Sequence, residues 1–327
     1  MSQSNESATA FAPATVSNVA CGFDVLGFAL HAPGDTVTAA RAPGTGVRID
    51  QITGDNGRLT RDPAKNTAGI AAQALLDAVG ERRGVVLTIR KGLPLSSGLG
   101  GSAASAVAAA FAVNELVGAR LSHETLMTCA FEGERVGAGS AHGDNIAPAV
   151  YGGFVLVRVA NPPDVVRLPV PAGLTAVVVH PDLEIETARA RALLGTHVPL
   201  GDAIRQWANL GAFIDALHRS DFDLLSRALE DTIAEPRRAP LVPGLAAIKQ
   251  AAVDAGALGC SLSGSGPSLF ALCRTAVSAE QVARAMAAAV AQHIGGAAPK
   301  TYVSPIAPQG ARIVAAPADP KGPALHV

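Results

Sequence analysis

Aromatic residues are scarce in this 327-residue chain, at 4 % with one Trp and two Tyr. Its core must therefore be aliphatic, and the alanine excess makes it helix-rich on propensity. Charge of one sign is missing as well. The net charge is −1, and no long run of either sign occurs. That excludes an extended nucleic-acid surface or a polybasic membrane patch. There are four cysteines, Cys21, Cys129, Cys260 and Cys273, with no Cys-x-x-Cys pair and no zinc spacing. Buried free thiols in a reducing compartment are expected. No long apolar run is present either. Ala103–Val113 is too short to cross a bilayer and ends at Asn114-Glu115. Met1–Ala8 is polar and lacks a basic-then-apolar signal pattern. A cytoplasmic protein, with no membrane or nucleic-acid partner, is the expectation. With 49 % hydrophobic residues the chain can bury a substantial core, as one large domain or two ordinary ones.

What is present in abundance is glycine at chosen places. Residues 94–104 read Pro-Leu-Ser-Ser-Gly-Leu-Gly-Gly-Ser-Ala-Ala and run into an alanine-rich helix starting near Ser102. Glycines let backbone N–H groups crowd around an anion, and the helix brings its positive end to the same point. No Gly-Lys-Ser/Thr closes the loop, and no third glycine makes a dinucleotide fingerprint. A grip on phosphate here comes from backbone and helix dipole, with Ser102 as a candidate metal ligand. On these residues alone a plain turn and cap is the better-favoured reading.

Along the chain, strands are expected at Thr9–Val16, Asp35–Arg41, Val85–Arg90 and Phe154–Val159. Asn66 caps a helix running to about Val79, and helices follow near 102–117 and 122–136. Asn161-Pro162-Pro163 is a breaker and the candidate boundary between domains 1–162 and 163–327. Beyond it, Thr175–Val179 is a β-branched run and reads as a buried strand. Helical patterns occupy about 188–194, 200–218, 221–231, 243–255 and 278–292. Strands Ala257–Ser263 and Ser268–Cys273 flank a second glycine-rich turn, and a last strand lies near 301–304. The tail after Pro305 is expected to be loosely packed. Strands mixed with helices without strict alternation make this an α+β chain.

Three segments stand in a fixed order: Ala12–Asp24 (APATVSNVACGFD), Pro94–Ala104, and Gly259–Ser268 (GCSLSGSGPS). Together they resemble the GHMP kinase superfamily over nearly the whole chain. Pro13-Ala14-Thr15 stands where galactokinases and mevalonate kinases carry Pro-Gly-Lys, so that lysine is absent. Asn18, Gly22-Phe23-Asp24, His142-Gly143-Asp144-Asn145-Ile146-Ala147-Pro148 and Glu235-Pro236-Arg237-Arg238 are similar to the homoserine kinase branch. The chain departs from that branch at Ala20 and Cys21, where Gly and Pro are common, and at Gly101, where Ser is common.

The resemblance implies a two-domain GHMP kinase fold. Its N-terminal ATP-binding domain is like ribosomal protein S5 domain 2, and its ferredoxin-like C-terminal domain completes the substrate site. It also implies transfer of the γ-phosphoryl group of ATP to the hydroxyl of L-homoserine, on the route to threonine, with Mg2+ and a homodimeric assembly. By position, Pro94, Leu95, Ser96, Ser97, Gly98, Leu99, Gly100, Gly101, Ser102, Ala103 and Ala104 would hold ATP, with Asn66 and Lys91 lining its pocket. Ser102 and Glu134 would hold the metal. Asn18, Asp24 and Arg238 would bind the acceptor, Arg238 gripping its carboxylate as a planar fork of donors. Asn145, Thr187 and Arg191 would face the hydroxyl and the moving phosphoryl group, Thr187 and Arg191 sharing one helix face. The third motif is expected to pack on the first and on the phosphate loop. Asp24, Asp144 and His142 are the possible bases, and the reading is that no dedicated strong base is needed. Helix capping explains Asn66, and a solvated surface explains Glu134 and Arg191, if the family likeness is set aside. Another small-molecule kinase of the superfamily, or a non-catalytic nucleotide-binding relative, stays open.

Overall fold

A computed structural model describes residues 6–137 and 143–315. The chain opens with β1 (Ser7–Ser17), β2 (Leu26–Ala42) and β3 (Val47–Thr53), followed by α1 (Thr67–Val79) and β4 (Gly84–Arg90). Helices α2 (Gly101–Val117), α3 (His123–Gly137) and α4 (Gly143–Tyr151) come next, then β5 (Phe154–Val159) and β6 (Asp164–Leu168). The second half holds β7 (Thr175–His180), α5 (Thr187–Ala192), α6 (Leu200–Arg219), α7 (Phe222–Ala228), α8 (Ala234–Arg238) and α9 (Leu245–Asp254). It ends with β8 (Gly259–Leu262), β9 (Leu269–Cys273), α10 (Ala276–His293), β10 (Lys300–Pro305) and β11 (Arg312–Val314).

Two sheets result. The larger runs β11-β1-β2-β4-β3, with β5 on β2 and β6 on β5; the smaller runs β10-β7-β9-β8. Strand β2 changes partner midway. Leu26–Phe28 pair with β5, and Thr36–Ala42 pair with β4. Between them stand Pro33 and Gly34, opposite the register shift at Pro13/Thr15 in β1. Proline cannot donate to a ladder, so the sheet bends and re-pairs there.

Helix α2 is buried nearly all round, from Ala103 to Val113 without a break. Its alanines permit close approach by β1, β2 and the neighbouring helices, so the phosphate loop sits on the most deeply set helix. The two sheets share this core. Alternate residues of β7 face opposite ways, as strand geometry requires. Ala176 and Val178 join the large core, whereas Val177 and Val179 join a second core with α9 and α10. That is why Thr175–Val179 is apolar throughout. The scarce phenylalanines concentrate at the junction, where Phe28 contacts Phe154 (5.0 Å between centroids) and Phe270 (5.8 Å), and Phe154 contacts Phe213 (5.7 Å). All four cysteines are buried and free.

The structure corrects two expectations and adds elements the sequence reading did not give. Asn161–Pro163 is the turn of the β5–β6 hairpin within the larger sheet, and the chain reaches the smaller sheet only between Leu168 and Thr175. Ladder bonds outweigh the local breaker signal. Residues 306–315 are not loose, because Ile306 and Ala307 are buried and β11 pairs with β1; the rest of the tail lies outside the described residues. Strands β3, β6 and β11 and helices α4 and α8 escape the sequence reading because each is too short for its periodicity to show.

Candidate active site

The glycine-rich loop proposed from sequence as a phosphate cradle lies between β4 and α2. Gly98 (φ 75°) and Gly100 (φ 64°) adopt the left-handed region. A β-carbon at Gly98 would strike the carbonyl oxygens of Ser263 and Gly266, and one at Gly100 would strike Thr15 and Asn145. Close approach, not turning alone, therefore demands glycine. Ser263 Oγ donates to Gly98 O at 2.7 Å, and Ser268 N to Ser97 O at 3.3 Å. Thr15 N donates to Leu99 O and Gly264 N to Ser17 O, both at 3.2 Å. The three glycine-bearing segments thus meet. Helix α2 starts behind Gly100 with no side chain capping it. Its first N–H groups lack intrahelical partners, and Gly100, Gly101 and Ser102 line a cleft of about 410 Å³.

The same cleft is lined by Asn66, Lys91, Pro94, Leu95, Ser96, Ser97, Gly98 and Glu134, and at its far end by Asn18, Asp24, Asn145, Thr187, Arg191 and Arg238. Leu99, Ala103 and Ala104 do not line it; their side chains belong to the core. The loop uses them as anchors.

Glu134 is no surface carboxylate. It is 3 % exposed, and its Oε1 has no hydrogen-bond partner. Burial pushes its carboxyl up to about 7, against the pull of the Ser102 hydroxyl and the Lys91 charge. An unpartnered buried carboxylate oxygen beside a hydroxyl, at the mouth of an anion cradle, is a hard-oxygen donor set. It suits Mg2+, which keeps several waters and shares phosphate oxygens. Among the described residues no cluster of three or more His, Cys, Asp or Glu could hold a metal by itself. The set fits a cation brought in with a phosphate ligand.

Lys91 lines the cleft, yet its three donors are already engaged. Its Nζ pairs with Asp35 Oδ2 and donates to Gly101 O (2.6 Å) and Ser105 Oγ (2.8 Å). Asp35 also accepts from Gly92 N at 2.9 Å and Ser105 Oγ at 2.7 Å. This network ties β2 and β4 to the first turn of α2. Asn66 is engaged likewise: Oδ1 caps Ala68 N at 3.0 Å, and Nδ2 donates to Thr60 O at 2.9 Å.

At the far end, the segment after β1 is folded against its own preference. Asn18, Val19, Ala20 and Asp24 all have positive φ, 43–68°. Asn18 holds this shape. Its Oδ1 accepts from Asp24 N (3.1 Å), its Nδ2 donates to Gly264 O (2.8 Å), and its N donates to Asp144 Oδ2 (3.1 Å). Asp24 is presented to Arg191, whose Nη2 donates to both carboxylate oxygens at 2.9 and 2.7 Å. Arg191 is therefore half-exposed but not merely solvated. Asn145 lies between Thr15 Oγ1, which donates to it at 2.8 Å, and Ser17 Oγ, to which it donates at 3.0 Å. Thr187 Oγ1 is 3.4 Å from Ser265 Oγ.

Arg238 reaches the cleft because α8 is pinned at its start and along its length. Asp231 accepts from the backbone N–H of Ile233, Ala234 and Glu235 at 2.8–2.9 Å. Glu235 pairs with Lys249 and accepts from Ser261 Oγ at 2.5 Å. Arg238 is then buried, with Nη1 on Gly264 O at 2.9 Å and Nε on Ala190 O at 3.4 Å. Neither bond uses Nη2. Its neighbour Arg237 instead donates to Ile233 O at 2.5 Å within its own helix. Burial pulls the Arg238 pKa down, the nearby Arg191 adds to that, and Asp24 opposes it.

Asp144, one of the candidate bases, is fully buried in the cleft wall, and its Oδ1 has no partner. Burial, then the Asp24 charge, raises its carboxyl to about 7. His142 lies outside the described residues. Motif reasoning misses Ser17 and the 58–60 segment, both of which line the cleft. Arg58 spans to Glu184 with bonds of 2.5 and 3.0 Å across the cleft mouth. Ser17 lies within the first motif, next to Asn18, and that motif was the signal for it; no local pattern marks 58–60, which the folding of the β3–α1 connection brings to the site.

The comparisons agree with this geometry. Residues 66–153 match the GHMP kinases N terminal domain, and residues 213–292 match GHMP kinases C terminal. Homoserine kinase of Chlorobaculum tepidum is 48 % identical over 316 residues, covering 94 % of this chain and 98 % of the relative. Homoserine kinase of Xanthomonas campestris is 44 % identical, covering 94 % of each. The crystal structure of homoserine kinase from Cytophaga hutchinsonii superposes with a TM-score of 0.92 at 46 % identity, over 96 % of this chain and 99 % of that one. A mevalonate kinase of L. major shares the fold alone, at 21 % identity and TM-score 0.70. The chain belongs to the GHMP kinases and, within them, to the homoserine kinase family.

Proposed function

We propose that this chain phosphorylates L-homoserine with ATP, giving ADP and O-phospho-L-homoserine. One observation carries the reading: a bare helix N-terminus behind Gly98 and Gly100 shares one cleft with the paired cationic and anionic groups Arg238, Arg191 and Asp24. The first suits phosphates. The second suits a zwitterionic acceptor, with the carboxylate on Arg238 Nη2 and the ammonium on Asp24.

Residues 96–102 bind the triphosphate through backbone N–H groups. Ser102 and Glu134 hold Mg2+, which neutralises charge on the phosphate oxygens when bound. Lys91, its charge balanced by Asp35, fixes the Gly101 carbonyl beneath the loop. Asn145 orients the acceptor hydroxyl, and Arg191 with Thr187 faces the moving phosphoryl group. The hydroxyl oxygen forms its bond to the γ-phosphorus as the bond to the ADP oxygen breaks. Its proton passes to the transferred phosphoryl oxygens, since a loose transition state needs little base strength. Positioning and charge neutralisation supply the catalysis.

A coupled ADP-release assay tests this with L-homoserine, L-threonine, shikimate, mevalonate and no acceptor. Turnover on homoserine, lost in Arg238→Ala but kept in Arg237→Ala, is expected. Turnover on another alcohol alone refutes the acceptor. A homodimer is part of the proposal; the exposed Leu200, Ile204 and Trp207, at i, i+4 and i+7 along α6, support it. Trp207→Glu should then shift the mass seen by sedimentation.

A further inference from the structure

We propose that Phe23 is a positioning residue that sets the spacing of Arg191 and Arg238, and through them the selectivity for an acceptor carrying an α-amino-acid carboxylate. The proposal rests on the acceptor site described under the proposed function. Phe23 does not itself line the cleft. The guanidinium carbons of Arg191 and Arg238 lie 5.7 and 5.3 Å from its ring centroid. Both fall within the range of about 6 Å in which an aromatic face attracts a cation.

The two arginines come from separate helices, α5 and α8, and like charges so close repel each other. Each has its own anchors: Asp24 for Arg191, and the Gly264 and Ala190 carbonyls for Arg238. The Phe23 ring is a surface both guanidiniums share. Its own placement is over-determined. The left-handed residues at 18–20 and 24 flank it, Asn18 clasps Asp24 N, and Val25 N and Leu26 N both donate to Gly22 O at 3.0 and 2.9 Å. Strained backbone of this kind persists only where surrounding bonds enforce it. Here the enforced product is a ring aimed at two cations. A carboxylate on Arg238 gains from that fixed position, and Arg191, resting on the same ring, holds Asp24 in place for the neighbouring ammonium; an alcohol without a carboxylate gains nothing from Arg238.

Phe23→Met keeps the bulk and removes the ring face, Phe23→Leu is a second ring-less variant should Met not fold, and Phe23→Tyr keeps the face. The expected result is a KM for L-homoserine raised about tenfold in the ring-less variants, because neither guanidinium then has an aromatic face to rest on. The KM for ATP should stay within twofold, and Phe23→Tyr should behave as wild type. Turnover of L-homoserinol, in which a hydroxymethyl group replaces the carboxylate, should hardly change, so the preference for homoserine narrows. The Nε–H signals of Arg191 and Arg238, recorded by NMR without any ligand, should shift and broaden in the ring-less variants alone. Unchanged homoserine KM, an equal rise in both KM values, or unmoved arginine signals would overturn the proposal. If wild type turns over no homoserine, the function proposed above fails instead, and the ligand-free arginine signals still decide the role of Phe23.

Discussion

Replacing Lys91 by Met probes the network beneath the phosphate loop. The Lys91 side chain is 2 % exposed and Asp35 is fully buried, so neither has water to fall back on. The substitution leaves the Asp35 carboxylate with two donors, Gly92 N and Ser105 Oγ, but no counter-charge. Removing one partner of a buried ion pair costs about 3–5 kcal/mol. For a chain of this size that corresponds to a fall of about 5–8 °C in Tm, taking roughly 1.5 °C per kcal/mol from the usual unfolding entropy per residue. The double variant Asp35→Asn/Lys91→Met removes the charge together with its partner. It should recover most of the loss, because a paired buried charge is worth little more than a neutral pair of similar volume. Urea melts of wild type, both single variants and the double variant give the coupling energy. Each melt should be paired with the KM for ATP, since the Gly101 carbonyl also loses its donor. If Lys91→Met lies within about 1 kcal/mol of wild type, or the double variant loses the sum of the single effects, the charge-compensation argument is wrong.

Glu134 sets a pH dependence. Its carboxyl is raised to about 7 by burial, so the free protein holds a proton there that a bound cation must displace. Affinity for Mg·ATP should rise with pH up to about 7 and level off above it, with protons released on binding. Calorimetry in buffers of different ionisation enthalpy checks this, and Glu134→Gln should abolish the dependence. Without ligand, Glu134 and Asp144 act on stability with the same sign. Each binds a proton when folded that the unfolded chain has lost, so stability falls as pH climbs from the ordinary carboxylate range to about 7, then flattens. Urea melts across that range should show the slope, and Asp144→Asn should reduce it. Within the loop, Gly98→Ala places a β-carbon on backbone oxygens at φ 75° and should cost about 2–4 kcal/mol in urea melts. A β-carbon at Gly101 meets nothing nearer than 3.6 Å, so Gly101→Ser should leave both stability and the KM for ATP near wild type.

The glycine-rich loop was legible in the order of residues because backbone freedom at glycine is a local property. A loop whose glycines permit left-handed backbone, followed at once by a helix, specifies its own anion cradle. Periodicity in the same way disclosed α1 with its Asn66 cap, the central α2 and the doubly buried β7. The roles of single side chains were less visible. Lys91 and Asn66 read as nucleotide contacts, but the fold engages their polar atoms internally. Glu134 taken alone read as a surface group, and the packing of α3 within the fold buries it. Nothing in Gly22-Phe23-Asp24 indicates that its ring meets two arginines from helices more than 160 residues away.

The sequence by itself determined the glycine-rich loop, the helix that follows it and the family to which the chain belongs. Those depend on backbone freedom and on patterns a few residues long. Tertiary structure alone decided which charges are paired, which carboxyls are forced toward neutrality and which arginine enters the cleft. Arg237 and Arg238 are adjacent in sequence and chemically identical. They differ only because Asp231 and Glu235 fix the orientation of α8, turning one guanidinium back to its own helix and the other toward Asp24 and Gly264. Burial and charge at that distance are sums over the whole fold, and no short stretch of sequence contains them.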